Sequence, residues 1–141
     1  SKIKKLKIPH SPLLGELQRG KDITLNGKKI KASTVSYVEA GKKITIILDT
    51  SPNENTIKLA ANADLLICES TFSKEEEHIA RDHKHLTSAD AATIAKKAKV
   101  KKLFLIHVSQ RFAKEPKKIL DESKKIFRES YIPKDFDIVV V

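Results

Sequence analysis

Three apolar runs in this chain each end on a side chain that can bind a ligand or move a proton: KITIILDT on Asp49, DLLICEST on Glu69 and KKLFLIHVSQRF on His107. Short continuous apolar runs bounded by turn signals read as buried strands, and such strands occur in parallel sheets covered by helices. Ligands of open α/β sheets gather outside the carboxyl ends of the strands, so three functional groups at three such ends locate a candidate site. A fourth candidate, His85 in KHLTSAD, immediately precedes a helix start.

Turn and capping signals organise the rest. Residues 21–39 read as a hairpin, KDITL and KKIKA joined by an Asn26-Gly27 turn, followed by a short strand STVSYVE. Ala40-Gly41 leads into the strand KKITIIL. Ser51-Pro52-Asn53-Glu54 reads as a capping box with proline at the first helical position, starting a helix that runs to about Asn62. ADLLIC is the next strand. Ser73 with Glu76 and Thr87 with Asp90 repeat the capping pattern for a short charged helix and for a helix with Ala91, Ala92, Ile94, Ala95 and Ala98 on its apolar stripe. KLFLI is a further strand, a helix from about Glu115 places Ile119, Leu120, Ser123, Ile126 and Phe127 on one face, and DIVVV closes the chain as a last strand. Strands apolar on both faces imply a sheet covered on both sides, yet helices are few and the first third is β-rich. One half of a layered α/β sandwich fits this pattern best, with an independent small α/β domain as the alternative.

Composition narrows the function classes. The chain carries 28 Lys and Arg against 18 Asp and Glu, a net charge of +10. Much of the excess sits in residues 1–31, where nine basic residues meet only Glu16 and Asp22. A basic balance favours a polyanionic partner such as RNA, through phosphate neutralisation and counterion release; the plainer reading is solubility of a lysine-rich protein. The single cysteine, Cys68, lies in an apolar run and reads as a buried thiol of a reducing compartment. No stretch approaches the ~20 apolar residues of a membrane span and no signal-peptide pattern is present, so a cytoplasmic location is expected. The sequence contains no methionine, so an excised segment is expected, with further sequence upstream.

Each strand-end residue has a chemical and a plain reading. Asp49 could ligate a metal, or bridge two through its two oxygens; as a turn residue it would only bond its own backbone. His107 is a rim imidazole suited to zinc or simply a polar strand terminus. Ser109 and Arg111 behind it could hold a phosphate, since a guanidinium fork matches phosphate oxygens. Glu69 and His85 make sense as a pair, because a carboxylate on one ring nitrogen orients an imidazole that acts as general acid through the other. The plain readings are a solvated carboxylate and a surface residue beside a cap. His10, His78 and His83 lie in charged segments and read as surface residues.

As a set, ILDT, ESTF, HLTSADAATIA and HVSQRF resemble, in order and spacing, the GDT, HEATF, HSTAxxAAxIA and THxSxRY motifs of the ribonuclease Z (tRNase Z) family of the metallo-β-lactamase superfamily. Upstream, IPHSPLLGELQRGKDITLNG resembles the family's P-x-GPLxGxLxxGxxV-x-L-x-G stretch, so that the resemblance covers residues 8–112. Four linked motifs make it specific where any one alone would be weak. The resemblance implies a four-layered αββα sandwich, of which residues 1–141 form a single segment, the C-terminal half of the hydrolase domain. It implies that Asp49 bridges two zinc ions, that His107 ligates one of them, that Glu69 and His85 protonate the leaving ribose oxygen, and that Arg111 contacts phosphate. The reaction implied is hydrolysis of precursor tRNA at its 3′ trailer by a homodimeric enzyme.

Leu48, Ser70 and Leu86 stand where the family has Gly, Ala and Ser, so local packing near the site is expected to differ. The HxHxDH signature that supplies most of the family's metal ligands does not occur in the chain, nor does the family's Gly/Pro-rich arm. The chain by itself is therefore expected to be catalytically weak or inactive. Two rivals to the tRNA-processing reading are another phosphodiesterase of the same superfamily and a non-catalytic basic RNA-binding module.

Overall fold

The computed structural model describes residues 8, 11–37 and 39–141, and within it the chain forms two compact units, Ser1–Gly41 and Lys42–Val141. His10 lies outside the described residues.

In the first unit, helix α1 (Pro12–Gln18) precedes a hairpin of β1 (Ile23–Leu25) and β2 (Lys28–Ile30). Asn26 and Gly27 both adopt positive φ, 49° and 75°, the backbone a two-residue hairpin turn requires. The segment expected as a strand after the hairpin is instead a single helical turn, α2 (Ala32–Val35). Its Ala32 N–H donates to Asp22 Oδ1 at 3.0 Å, and Ser36 Oγ donates to the carbonyls of Leu17 and Ala32. These tertiary partners override the β preference of Thr34 and Val35. Leu17, Ile23 and Ala32 are the unit's buried centre, with Ile8.

The second unit is a four-stranded parallel sheet in the order β3 (Ile44–Ile47), β4 (Leu65–Glu69), β5 (Lys102–Ile106), β6 (Ser130–Tyr131). Helix α3 (Glu54–Ala60) connects β3 to β4, α4 (Glu77–Asp82) and α5 (Ser88–Ala98) connect β4 to β5, and α6 (Pro116–Ile126) connects β5 to β6. α5 packs on β4 and β5 and is flanked by α3 and α6. The register Thr45↔Leu66↔Leu103 and Ile47↔Cys68↔Leu105 alternates core-facing residues across the sheet, and Leu66, Cys68, Leu103 and Leu105 are fully buried with Ile119 of α6. Each such leucine contributes roughly 1.5–3 kcal/mol of burial. The Cys68 thiol lies in this core, and burial pushes its pKa up, which keeps it an inert apolar filler as expected.

Three expectations are corrected. The sheet is not covered on both sides along β3, where Ile44 and Ile46 are 53% and 58% exposed and Leu48 beyond them is also exposed. The helix after Asp49 is capped by Asn53, whose Oδ1 accepts the N–H groups of Asn55 and Thr56, so Pro52 precedes the helix rather than opening it. DIVVV is no strand: Ile138 and Val140 are exposed, and the edge beside β5 is taken by Ser130 and Tyr131. Ser123 Oγ donates to Ser130 Oγ and Ser130 Oγ to the Phe127 carbonyl, which locks that short strand to α6. A two-layer α/β body with one apolar sheet face partly open agrees with half of a four-layered sandwich.

Candidate metal centre

The parallel register aligns Ile47 with Cys68 and Glu69 with Ile106, so Asp49 and His107 stand at one level, one residue beyond Glu69, on strands two positions apart. Backbones two strands apart are separated by about 9.5 Å. Asp49 and His107 close that gap over the end of β4: both adopt positive φ, 47° and 55°, and Asp49 Oδ1 reaches within 3.7 Å of His107 Nδ1. Left-handed backbone on a non-glycine residue is uncommon, though Asp and His tolerate it better than most. Its occurrence at both of these strand ends is the kind of local strain that gathers at functional sites.

His85 arrives from the loop between α4 and α5. Lys84 turns the chain with φ 59°, His85 N–H donates to the Ala80 carbonyl, and the bridge between Phe72 and Thr87 pins the loop against the segment leaving β4. Its ring lies 5.3 Å from that of His107, and its Nδ1 lies 3.9 Å from Asp49 Oδ1. Asp49, His85 and His107 each offer one ligand atom, and these atoms all lie within 4.8 Å of one another. One carboxylate and two imidazoles are a donor set that suits zinc.

Beneath them lies Glu69, fully buried. A buried carboxylate is tolerated only if its oxygens are satisfied. Glu69 Oε1 accepts from the Thr50 N–H at 2.7 Å; Oε2 accepts from the Leu86 N–H at 3.2 Å and the Thr71 hydroxyl at 2.8 Å, and lies 2.8 Å from His85 Nδ1. The structure thus brings together the sequence-predicted Glu69 and His85, and separately Asp49 and His107, with His85 shared by both groups. Thr71 is the residue that sequence reasoning missed: its Oγ1 also lies 3.0 Å from His107 Nδ1. The available signal was its spacing of two from Glu69 in extended chain, which puts both side chains on one side.

Ser109 and Arg111 are not part of the donor cluster. Ser109 caps the 3-10 turn Gln110–Phe112 through its backbone and donates its N–H to the Thr71 carbonyl. Arg111 pairs with Glu76 at 2.8 Å and lies over the Phe72 ring. His78 and His83 are exposed, as expected of surface residues. The departures Ser70 and Leu86 are accommodated: Ser70 is buried and its N–H and hydroxyl both bond the Ile106 carbonyl, while Leu86 is part of the core. Leu48 is exposed.

The capping box predicted at Thr87 and Asp90 is present, and it sets the entry of α5 directly behind His85. Arg81 donates from both terminal nitrogens to Asp90 at 3.0 Å. Burial opposes ionisation of Asp90, but Arg81 and the N–H and hydroxyl of Thr87 outweigh it and hold the carboxyl below the usual carboxylate range. A depressed folded-state pKa gives stability that is present above the unfolded value and lost as pH falls through the folded one. Asp90→Ala is therefore expected to cost about 2 kcal/mol at neutral pH, with a deficit that shrinks on acidification. Urea unfolding of both proteins at neutral and acid pH checks this, and a deficit independent of pH would contradict it.

No protein-family model matches the chain. It is 40% identical over 142 residues to ribonuclease Z of Enterococcus faecalis, an alignment that covers 99% of this chain and 45% of the relative. Against ribonuclease Z of Lactobacillus gasseri it is 42% identical over 139 residues, 96% of this chain and 45% of the relative. The chain thus spans about 45% of the length of these relatives. Among solved structures, the short form of human tRNase Z superimposes with a TM-score of 0.56 at 30% identity, covering 79% of this chain and 36% of that one. The metallo-β-lactamase fold protein YhfI of Bacillus subtilis gives 0.59 at 28% identity, over 64% of this chain and 36% of that one.

Proposed function

We propose, from its likeness to ribonuclease Z proteins and to solved structures of the metallo-β-lactamase fold, that the chain furnishes one wall of a zinc-dependent endoribonuclease centre that removes the 3′ trailer of precursor tRNA. The observation that carries this reading is the convergence of Asp49, His85 and His107 at one end of the parallel sheet. Asp49 and His107 would hold metal, Asp49 with an exposed carboxylate whose two oxygens suit a bridging role. Zinc, when bound, supplies Lewis-acid activation of water and neutralises charge on the phosphodiester.

The chain's own residues do the rest. His85, its Nδ1–H held against the Glu69 carboxylate, takes up a second proton on Nε2 and as imidazolium delivers it to the departing ribose oxygen, returning to the neutral ring protonated on Nδ1. Arg111, held by Glu76 in the absence of substrate, exchanges that partner for a phosphate, with Ser109 beside it. Catalytic zinc normally takes three protein ligands, and a dinuclear centre needs more donors than the cluster found among the described residues. The remaining donors are assigned to sequence beyond these 141 residues, in a single hydrolase domain to which both compact units belong. The complete protein is read as a cytoplasmic homodimer; among the described residues no helix is long and apolar enough to cross a membrane. A second reading makes His85 a third metal ligand, favoured by its place within the donor cluster.

The test is cleavage by the complete protein. Precursor tRNA should be cut to leave a 3′-hydroxyl, with activity abolished by a chelator and restored by zinc. Preference for small phosphodiesters over precursor tRNA would favour a different phosphodiesterase, and metal-independent RNA binding with a steep salt dependence and no cleavage would favour a binding module.

A further inference from the structure

We propose that Thr71 is a positioning residue that extends the reach of Glu69 to His107, so that one buried carboxylate sets the tautomer of both histidines at the centre. The argument is one of proton count. Thr71 carries a single hydroxyl proton and stands between two partners, Glu69 Oε2 at 2.8 Å and His107 Nδ1 at 3.0 Å. Both oxygens of Glu69 already accept backbone N–H groups, from Thr50 and Leu86, so the carboxylate takes the Thr71 proton rather than offering one. The Thr71 oxygen is then left with lone pairs only, and His107 must be the donor, with its proton on Nδ1. Nε2 of His107 consequently carries the free pair that a metal needs. His85 reaches the same state by direct contact, its Nδ1 lying 2.8 Å from Glu69 Oε2.

The arrangement solves a problem of position. His107 lies one residue past β5, too far along to share Glu69 directly with His85, and Thr71 is largely buried with its hydroxyl held between the two. The Thr50 N–H bond to Glu69 Oε1 anchors the residue next to Asp49 as well, so each of the three donors is tied to Glu69 through a different intermediary: a backbone amide, none, and a hydroxyl. Outer partners of this kind fix ring orientation and commonly change metal affinity by ~10–100-fold when removed.

The tautomer claim stands on this geometry alone; its consequence for zinc rests on the reading of His107 as a ligand. The test uses the complete protein stripped of metal, with ring ¹⁵N chemical shifts recorded at a pH where each of the two rings carries a single proton. In the wild type, both His85 and His107 should be protonated on Nδ1. Thr71→Val, nearly isosteric, should release His107 toward the Nε2-protonated form while leaving His85 unchanged, and Thr71→Ser should restore His107. His85 thus reports within the same spectrum that the fold is intact. A wild-type His107 protonated on Nε2, or one indifferent to Thr71→Val, would overturn the proposal. Zinc titration by calorimetry then separates the two layers: a ~10–100-fold weaker association in Thr71→Val supports both, whereas a shifted tautomer with unchanged zinc affinity keeps the relay and removes His107 from the metal assignment.

Discussion

Asp49→Ala in the complete protein should abolish both zinc retention and cleavage of precursor tRNA. The effect follows from position. Asp49 contributes the only carboxylate of the donor cluster, and it faces His107 and His85 with one oxygen at 3.7 and 3.9 Å from their Nδ1 atoms. Removing it takes away the carboxylate suited to bridging two metals and leaves His107 as the ligand this reading draws from these residues, too few protein ligands on their side of the centre for catalytic zinc. The fold should survive, since the Asp49 side chain is largely exposed and makes no bond that the core depends on. Metal content by elemental analysis, read beside the thermal transition of the same sample, checks the prediction. Retention of stoichiometric zinc in a folded Asp49→Ala protein would remove Asp49 from the metal assignment.

His85 and Glu69 should behave differently. His85→Ala is expected to leave zinc bound while slowing single-turnover cleavage by ~10²–10⁴-fold, the usual cost of a lost proton donor. Loss of metal on the same substitution would instead make His85 the third ligand. Glu69 reaches the chemistry largely through His85, so a Glu69→Gln, His85→Ala double variant should be hardly slower than His85→Ala, because residues that act as a unit are strongly non-additive. Additive losses would separate the two roles. Since Glu69 also touches Thr71, Thr50 and Leu86, Glu69→Gln should carry a stability cost that His85→Ala does not.

The strand-end positions of the candidate site were legible in the sequence because apolar runs are unambiguous about where they stop. Asp49, Glu69 and His107 each follow an uninterrupted strand, and Thr87 with Asp90 is a local pattern whose two partners lie three residues apart. What the sequence concealed depended on competition or on distance. Ser51 and Asn53 are both good caps, and Asn53 prevailed by satisfying two orphan N–H groups at once. STVSYVE and DIVVV have strand composition, but β propensity expresses itself only beside a partner strand: α2 is claimed by Asp22, and the edge of β5 is occupied by a segment that α6 holds through Ser123. The Thr71 relay spans 36 residues to His107, and no local rule predicts a contact at that separation.

The order of strands has a temporal consequence. β3, β4, β5 and β6 sit beside one another in the sequence in which the chain presents them, so the sheet grows by addition at one edge and no strand has to be threaded between two others. Each addition still closes a long connection, from Ile44 to Leu65, from Leu65 to Lys102 and from Leu103 to Ser130, which makes the sheet a slow-forming structure of non-local pairs. The three donors are distributed over β3, the α4–α5 loop and β5, with Glu69 between them on β4. A metal ion therefore does not meet all three of these donors together until β5 has docked, and it cannot nucleate the fold from a local loop as it does in a small metal-dependent finger.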